Sequence, residues 1–258
     1  MIEIQQLCKS FKSVPVLQGV DLDIADSERL VIIGGSGCGK SVLLRHIAGL
    51  VKPDSGRLKI DGQDLTPLNE RALNPIRRKI GVLFQGAALF DSLDVFHNVA
   101  FSLLEERTLG MPEIRQRVAE MLAAVGMSGQ EGKKPAELSG GMRKRIGLAR
   151  ALIHRPRIML YDEPTTGLDP QIADSINRLI LKLALEFNVT TIVVTHDMVS
   201  AYMVGNRIAM LHKGKILVSG APDQIQQCSN PIVQNFIHGV SEEAAAMKMS
   251  RRENASST

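Results

Sequence analysis

The sequence predicts an α/β fold around a mostly parallel β-sheet. Three observations carry that prediction. Short apolar runs at residues 30–33, 80–84, 157–161 and 190–195 are separated by stretches with helical periodicity. Each run ends in a polar or glycine-rich turn, as buried strands do where they meet the edge of a sheet. The first run passes through Gly34-Gly35-Ser36-Gly37-Cys38-Gly39 into Lys40-Ser41 and a helical stretch at 42–48, giving the order strand, glycine loop, helix.

Composition bounds the class. With 258 residues, 44% hydrophobic and 22% charged, the chain can bury the core of one domain, or of a domain with a subdomain. Its longest apolar runs fall far short of the ~20 residues that cross a bilayer. Met1-Ile2-Glu3-Ile4 lacks the pattern of a secretory leader. Cys8, Cys38 and Cys228 are too few and too widely spaced for a disulfide framework or a zinc site, which suggests a cytosolic protein. The net charge is +4, yet aromatics are only 3% and do not interleave with the basic clusters Arg77-Arg78-Lys79 and Arg143-Lys144-Arg145. Solvated faces, phosphate groups or an acidic membrane surface account for this charge better than nucleic acid does.

Taken in order, residues 2–8 and 16–24 alternate as half-buried strands. Phe11 falls in the connection between them; it either staples that turn or stacks on a purine base, and position alone does not choose. Pro53-Asp54-Ser55-Gly56 marks a turn, 57–60 a strand and Asp61-Gly62 a hairpin-type end. The strand at 80–84 ends at Gln85. From 86 to 135 the pattern turns helical, notably at 95–104 and 113–125, with Gly126 as a stop. Four of the seven phenylalanines (Phe84, Phe90, Phe96, Phe101) fall in this region; they fill a small helical core or form an exposed docking groove, and both readings can hold for different members. Ser139 is an N-cap for a helix that begins Gly140-Gly141 and carries Ile146, Leu148, Ala149 and Leu152. The strand at 157–161 ends in Asp162-Glu163-Pro164. Asp169-Pro170 then opens a helix reaching Phe187, and the strand at 190–195 ends at His196-Asp197. Strands at 207–211 and 215–218 flank Lys213-Gly214, and the chain becomes polar and aperiodic from about Ser241.

The chemistry concentrates where these strands end. The loop at 34–41 fits the phosphate-binding pattern G-x-x-x-x-G-K-[ST]: glycines turn backbone N–H groups toward one anion, and the helix N-terminus adds positive potential. In this pattern Lys40 reaches the β- and γ-phosphates and the Ser41 hydroxyl ligates Mg²⁺. Asp162, at the C-terminal edge of a buried strand, is placed to hold the same ion, and Glu163 is placed to activate a water as general base. His196 closes the next strand within reach of a γ-phosphate, and Gln85 offers an amide to metal or water. Singly each is weak evidence; together they bring three strands and a loop to one sheet edge.

With these residues assembled, the chain resembles the ATP-binding subunits of ABC transporters over residues 1–240. Leu138-Ser139-Gly140-Gly141-Met142 matches the ABC signature, and Walker A (34–41), the Q-loop Gln85, Walker B (158–162) with Glu163, the D-loop Gly167-Leu168-Asp169 and the switch His196 follow the family's order. The resemblance implies a P-loop NTPase with a RecA-like core at about 1–85 and 157–240. It also implies an antiparallel β subdomain, a helical subdomain inserted at about 86–156 and a polar tail at 241–258. The implied cofactors are ATP and Mg²⁺, with Glu163, His196 and Lys40 catalytic and Ser41, Gln85 and Asp162 at the metal. The implied nucleotide contacts are Phe11, Gly34, Gly35, Ser36, Gly37, Cys38, Gly39, Lys40, Ser41, Val42, Gln85, Ser139, Gly140, Gly141 and Asp169. Each ATP would lie between Walker A of one copy and the signature of another, in a head-to-tail homodimer. Phe11 stands where the family more often has Tyr, and Met142 where it more often has Gln.

The segment Leu83-Phe84-Gln85-Gly86-Ala87-Ala88-Leu89-Phe90-Asp91-Ser92-Leu93, continuing Val95-Phe96-His97-Asn98-Val99, is similar to the Mla/Mce-type phospholipid-transport ATPases. That finer resemblance implies integral-membrane permease partners and an extracytoplasmic Mce lipid-binding protein. It also allows a small cytosolic accessory subunit and implies a peripheral position on the cytoplasmic face of the inner membrane. The alternatives are an ATPase serving an importer of another small solute, such as an amino acid or metal, and a soluble ABC protein outside transport.

Overall fold

Strand alternation at the N-terminus builds a first sheet. In the computed structural model, which describes residues 1–240, β1 (Ile2–Phe11) pairs antiparallel with β2 (Val14–Ile24). The two strands are longer than alternation alone predicts. Phe11 lies within β1 opposite Val14, and the turn is only Lys12-Ser13, both with positive φ, 48° and 66°. Two left-handed residues give a two-residue loop the twist of its flanking strands, a role usually signalled by Asn or Gly, so the turn was not legible in the residue types. The polar tail expected at 241–258 lies outside the described residues.

The remaining elements follow in order: β3 (Arg29–Ile33), α1 (Lys40–Ile47), β4 (Ser55–Ile60), β5 (Gln63–Asp64), α2 (Glu70–Arg77), β6 (Ile80–Leu83), α3 (Val95–Glu106), α4 (Met111–Ala124), α5 (Gly140–Leu152), β7 (Ile158–Asp162), α6 (Pro170–Glu186), β8 (Thr190–Thr195), α7 (Met198–Val204), β9 (Arg207–His212), β10 (Lys215–Gly220), α8 (Pro222–Gln226) and α9 (Pro231–Ile237). The first sheet has the order β2-β1-β4-β5 and the second β10-β9-β3-β8-β7-β6. In the second, β9, β3, β8, β7 and β6 run parallel, and β10 pairs antiparallel at the edge. The helices α2, α7, α8 and α9 were not anticipated. Each is only five to eight residues long, too short for an apolar period to stand out.

Alternation along the parallel strands divides the interior in two. Val31 and Ile33 of β3 face one cluster with Met159, Tyr161, Val193 and the helices α3 to α6; Leu30 and Ile32 face the other with Leu160, Ile192, α1 and the first sheet. A strand buried on both faces is apolar at nearly every position, which is why these runs are close to continuous, with threonines and Asp162 only toward the strand ends. Between β6 and β7 the regular elements are helical, and their shared core is aliphatic: Val95, Val99, Leu103, Ile114, Val118, Leu122, Ile146 and Leu148. The phenylalanines divide: Phe96 packs against this core, and others stay outside it. Phe90 and Phe101 are exposed and stack with ring centroids 4.6 Å apart, while Phe96 is only partly buried.

Leu148 is fully buried where α5 meets this core. Leu148→Ala is expected to lower the free energy of unfolding by about 2–5 kcal/mol, through lost burial and a residual cavity. Chemical denaturation monitored by far-UV circular dichroism checks this; a change under 1 kcal/mol would place Leu148 outside the cooperative core.

Candidate active site

The parallel sheet delivers its polar residues to one edge. β3 ends in the glycine loop, β6 leads to Gln85, β7 ends in Asp162-Glu163 and β8 leads to His196. A cavity of about 710 Å³ opens there, lined by Ser36, Gly37, Gly39, Lys40, Ser41 and Val42, and by Gln85, Glu163 and His196. Val16 and Thr166 line it too.

Close packing shapes the loop. Gly34 has φ +152°, and a Cβ there would lie 2.2 Å from the Leu211 carbonyl oxygen, so no larger residue fits without moving β9. The Lys40 ammonium donates to the carbonyl oxygens of Gly34 (2.7 Å) and Gly35 (3.0 Å). It lies 4.0 Å from Glu163 Oε1 and is nearly buried. A phosphate entering the loop offers this cation stronger, charged acceptors than two carbonyls. Burial pushes the Cys38 thiol above its ordinary pKa, so it stays a neutral wall of the loop.

The carboxylates are held in distinct roles. Asp162 Oδ1 accepts from Ser41 Oγ at 2.7 Å, joining the P-loop to β7. Glu163 is a non-glycine residue in the left-handed region, φ 49°, with its N–H donating to the Val194 carbonyl at 2.9 Å. Its Oε2 accepts from His196 Nδ1–H (2.9 Å), Thr166 Oγ1 (3.1 Å) and Thr195 Oγ1 (3.4 Å). The carboxylate is therefore fixed from several sides at the mouth of the cavity.

The helix α5 approaches from behind. Lys144 donates to the Gln85 carbonyl oxygen and, at 3.5 Å, to that of Glu163. Burial pushes its pKa down, against the opposing pull of Asp162 and Glu163. Arg150 donates to the carbonyls of Ala87 (2.8 Å) and Ala88 (2.7 Å), two residues with φ 59° and 48°.

Other expected site residues stand outside the cavity. Ser139 caps α5 by accepting the Met142 N–H at 3.3 Å, with Gly140 and Gly141 opening the helix. A Cβ on Gly141 would lie 2.6 Å from Ile172 Cγ2, so this glycine also lets α5 press against α6. Asp169 caps α6, accepting from the N–H groups of Gln171 (3.1 Å) and Ile172 (3.0 Å). Neither Asp169 nor Ser139, Gly140 or Gly141 lines the cavity with the P-loop. Phe11, also outside the lining, is exposed with the Lys9 ammonium 5.5 Å from its ring centre.

Comparison with known proteins bears on this geometry. Residues 17–166 match the family model described as ABC transporter. The chain belongs to the ABC transporter family. It is 41% identical over 238 residues, 92% of its length, to the probable ribonucleotide transport ATP-binding protein mkl of Mycobacterium leprae, of which it covers 69%. It is 40% identical over 243 residues, 93% of its length, to the sulfate/thiosulfate import ATP-binding protein CysA of Xylella fastidiosa, of which it covers 68%. The chain thus spans about two thirds of the length of these curated relatives. Among solved structures it is similar to the dimeric ATP-binding cassette MJ0796 in a post-hydrolysis state bound to ADP and Pi (TM-score 0.80, 34% identity, 86% of this chain and 99% of that one). It is also similar to cbiO1 of Clostridium perfringens, part of the ABC transporter complex cbiONQ (TM-score 0.81, 28% identity, 92% of this chain and 94% of that one).

This ABC protein is an ATP hydrolase that uses ATP with Mg²⁺. The donor set fits the metal. Ser41 Oγ and Asp162 Oδ1 are hard oxygens already 2.7 Å apart, and the described residues contain no group of three or more His, Cys, Asp or Glu that would cage a cation. Mg²⁺ suits such a sparse site because substrate phosphates and water complete its shell. Three residues in or against this cavity were missed in the sequence: Val16 and Thr166, which line it, and Lys144, which meets the carbonyls of Gln85 and Glu163 behind it. Val16 is one apolar position in an alternating strand, and Thr166 is one of two adjacent threonines. Lys144 sits in a basic run that reads as solvated surface. No local signal distinguishes them.

Proposed function

We propose that this chain is the ATP-hydrolysing subunit of a transporter that moves phospholipid across or between membranes through a separate permease. The observation that carries the reading is the exposed aromatic surface beyond Gln85. Phe90 and Phe101 stack outside the aliphatic core, and the Arg150 guanidinium lies 5.7 Å from the Phe90 ring. Solvent-exposed stacked aromatics are unfavourable on an isolated domain and suit burial against a partner. The residues at 83–99 also resemble the phospholipid-transport branch, which supports a lipid cargo.

In this reading two copies associate head to tail, consistent with the dimeric MJ0796 cassette, and Ser139-Gly140-Gly141 of one copy completes the nucleotide site of the other. Lys40 holds the β- and γ-phosphates, and the Ser41 hydroxyl and Asp162 hold Mg²⁺, which neutralises phosphate charge when bound. Glu163 takes a proton from the attacking water while His196 fixes its orientation. Gln85 carries the state of the site to the aromatic surface, where a permease docks on the cytoplasmic face of the inner membrane. An extracytoplasmic Mce lipid-binding protein completes the assembly, which also has room for a small cytosolic accessory subunit. No helix among the described residues is long and apolar enough to cross a membrane.

Phe101→Asp is expected to abolish co-purification with the permease while leaving the ATPase rate of the isolated subunit within about twofold, since the change puts a charge into an apolar interface. Undiminished co-purification would remove the aromatic surface from the interface. The 40% identity to a sulfate/thiosulfate importer favours a second reading, a small-solute importer. Phospholipid extracted from the purified complex supports the first; a lipid-free complex whose ATPase is stimulated by a soluble solute receptor supports the second.

A further inference from the structure

We infer that Lys144 is a positioning residue for hydrolysis, through which the signature helix α5 holds the backbone of Gln85 and Glu163 in register. The inference rests on the reading of Glu163 as the base and adds what keeps that base aimed. Lys144 is 5% exposed, and its ammonium meets the carbonyl oxygens of Gln85 and Glu163. A buried cation is costly unless its donors are used, and an apolar side chain of similar length would fill this space at less cost. What the ammonium adds is a joint between two carbonyls that belong to different strand ends.

The geometry of Glu163 makes that joint matter. A left-handed non-glycine backbone persists only where its surroundings over-determine it. Here the N–H is fixed by Val194 on one side, and on the other the carbonyl accepts from both the Thr166 N–H (3.3 Å) and the Lys144 ammonium (3.5 Å). Without the ammonium the carbonyl keeps only the Thr166 N–H, within its own tight turn, and nothing ties that turn to Gln85, so the peptide gains freedom and the carboxylate is less firmly aimed at the cavity. Arg150, two turns further along α5, fixes Ala87 and Ala88 in the same manner, so one helix holds the backbone on both sides of the loop that follows Gln85. Ser139 caps the other end of this helix. A shift of α5 is therefore felt at the base without any side chain of α5 entering the cavity.

The test compares Lys144→Met, Lys144→Arg and Glu163→Gln in the full-length chain, measuring steady-state ATP turnover, binding of a fluorescent ATP analogue and thermal unfolding. Lys144→Met is expected to lower kcat about 10- to 100-fold, with KM and analogue affinity within about threefold of the parent. Lys144→Arg, which keeps the charge and the donors, is expected to recover at least a third of the parent kcat. The inference is overturned if Lys144→Met turns over at the parent rate, if both Lys144 variants lose activity equally, or if kcat falls only in parallel with nucleotide binding and melting temperature. Should Lys144→Met not fold, Lys144→Gln replaces it, and a kcat equal to that of Lys144→Arg overturns the inference. Full activity in Glu163→Gln instead defeats the assignment of the base, a result distinct from an unaffected Lys144→Met.

Discussion

Glu163→Gln is expected to lower steady-state ATP turnover by about 100-fold or more while ATP still binds. The amide keeps the size of the carboxylate and can still meet Thr166 and His196, so the fold and the cavity are retained. It cannot accept a proton from water, and a positioned general base contributes roughly 10²–10⁴-fold. Removing the negative charge near Lys40 also relieves competition for that ammonium, so nucleotide affinity should hold or rise. Phosphate release under saturating Mg·ATP, beside equilibrium binding of a fluorescent analogue, provides the check. Unreduced turnover would show that another group, or water alone, takes the proton.

Lys40→Ala should be as damaging, but at binding rather than at proton transfer. The ammonium is nearly buried and is held by two carbonyls of the loop that would otherwise receive phosphate. Each charge-assisted hydrogen bond it makes to a phosphate oxygen is worth about 1.5–3 kcal/mol, so truncation should weaken ATP binding about 10- to 100-fold. The same cation neutralises charge as the γ-phosphate departs, so turnover should fall below detection even at saturating ATP. Isothermal titration for affinity and a coupled assay for rate separate these two losses. Near-parental turnover would remove the P-loop assignment.

Much of this architecture was legible in the residues because its signals are local. A strand buried on both faces is nearly continuous in apolar and β-branched residues, so 30–33, 158–161 and 190–195 announced themselves, the last through Ile192, Val193 and Val194 with buried threonines at its ends. The phosphate loop was legible because a Cβ at Gly34 would strike the Leu211 carbonyl, a constraint that leaves glycine in the sequence. Asp162, Glu163, His196 and Gln85 were found by their place at strand ends. The turn at Lys12-Ser13 and the short α2 were not found, because neither carries a residue type or period that separates it from ordinary polar surface. Phe11 was expected in a connection and lies inside β1, since alternation does not say where pairing stops.

The phenylalanines and Lys144 mark the same division. Sequence left the aromatic cluster divided between core and surface; packing decided it, because Val95, Val99, Leu103, Ile114 and Leu122 already fill the helical core and leave Phe90 and Phe101 outside. Lys144 looked like one basic residue in a run of three, and only the fold carries its ammonium to carbonyls 59 and 19 residues away in sequence. By itself the sequence determined the parallel sheet and the phosphate loop, since burial and backbone geometry dictate residue type there, and the carboxylates at the sheet edge, since acids directly after a buried apolar strand stand out against it. Tertiary structure alone decided which side chains reach that edge from other elements, because contacts between distant segments depend on packing and leave no trace in local pattern.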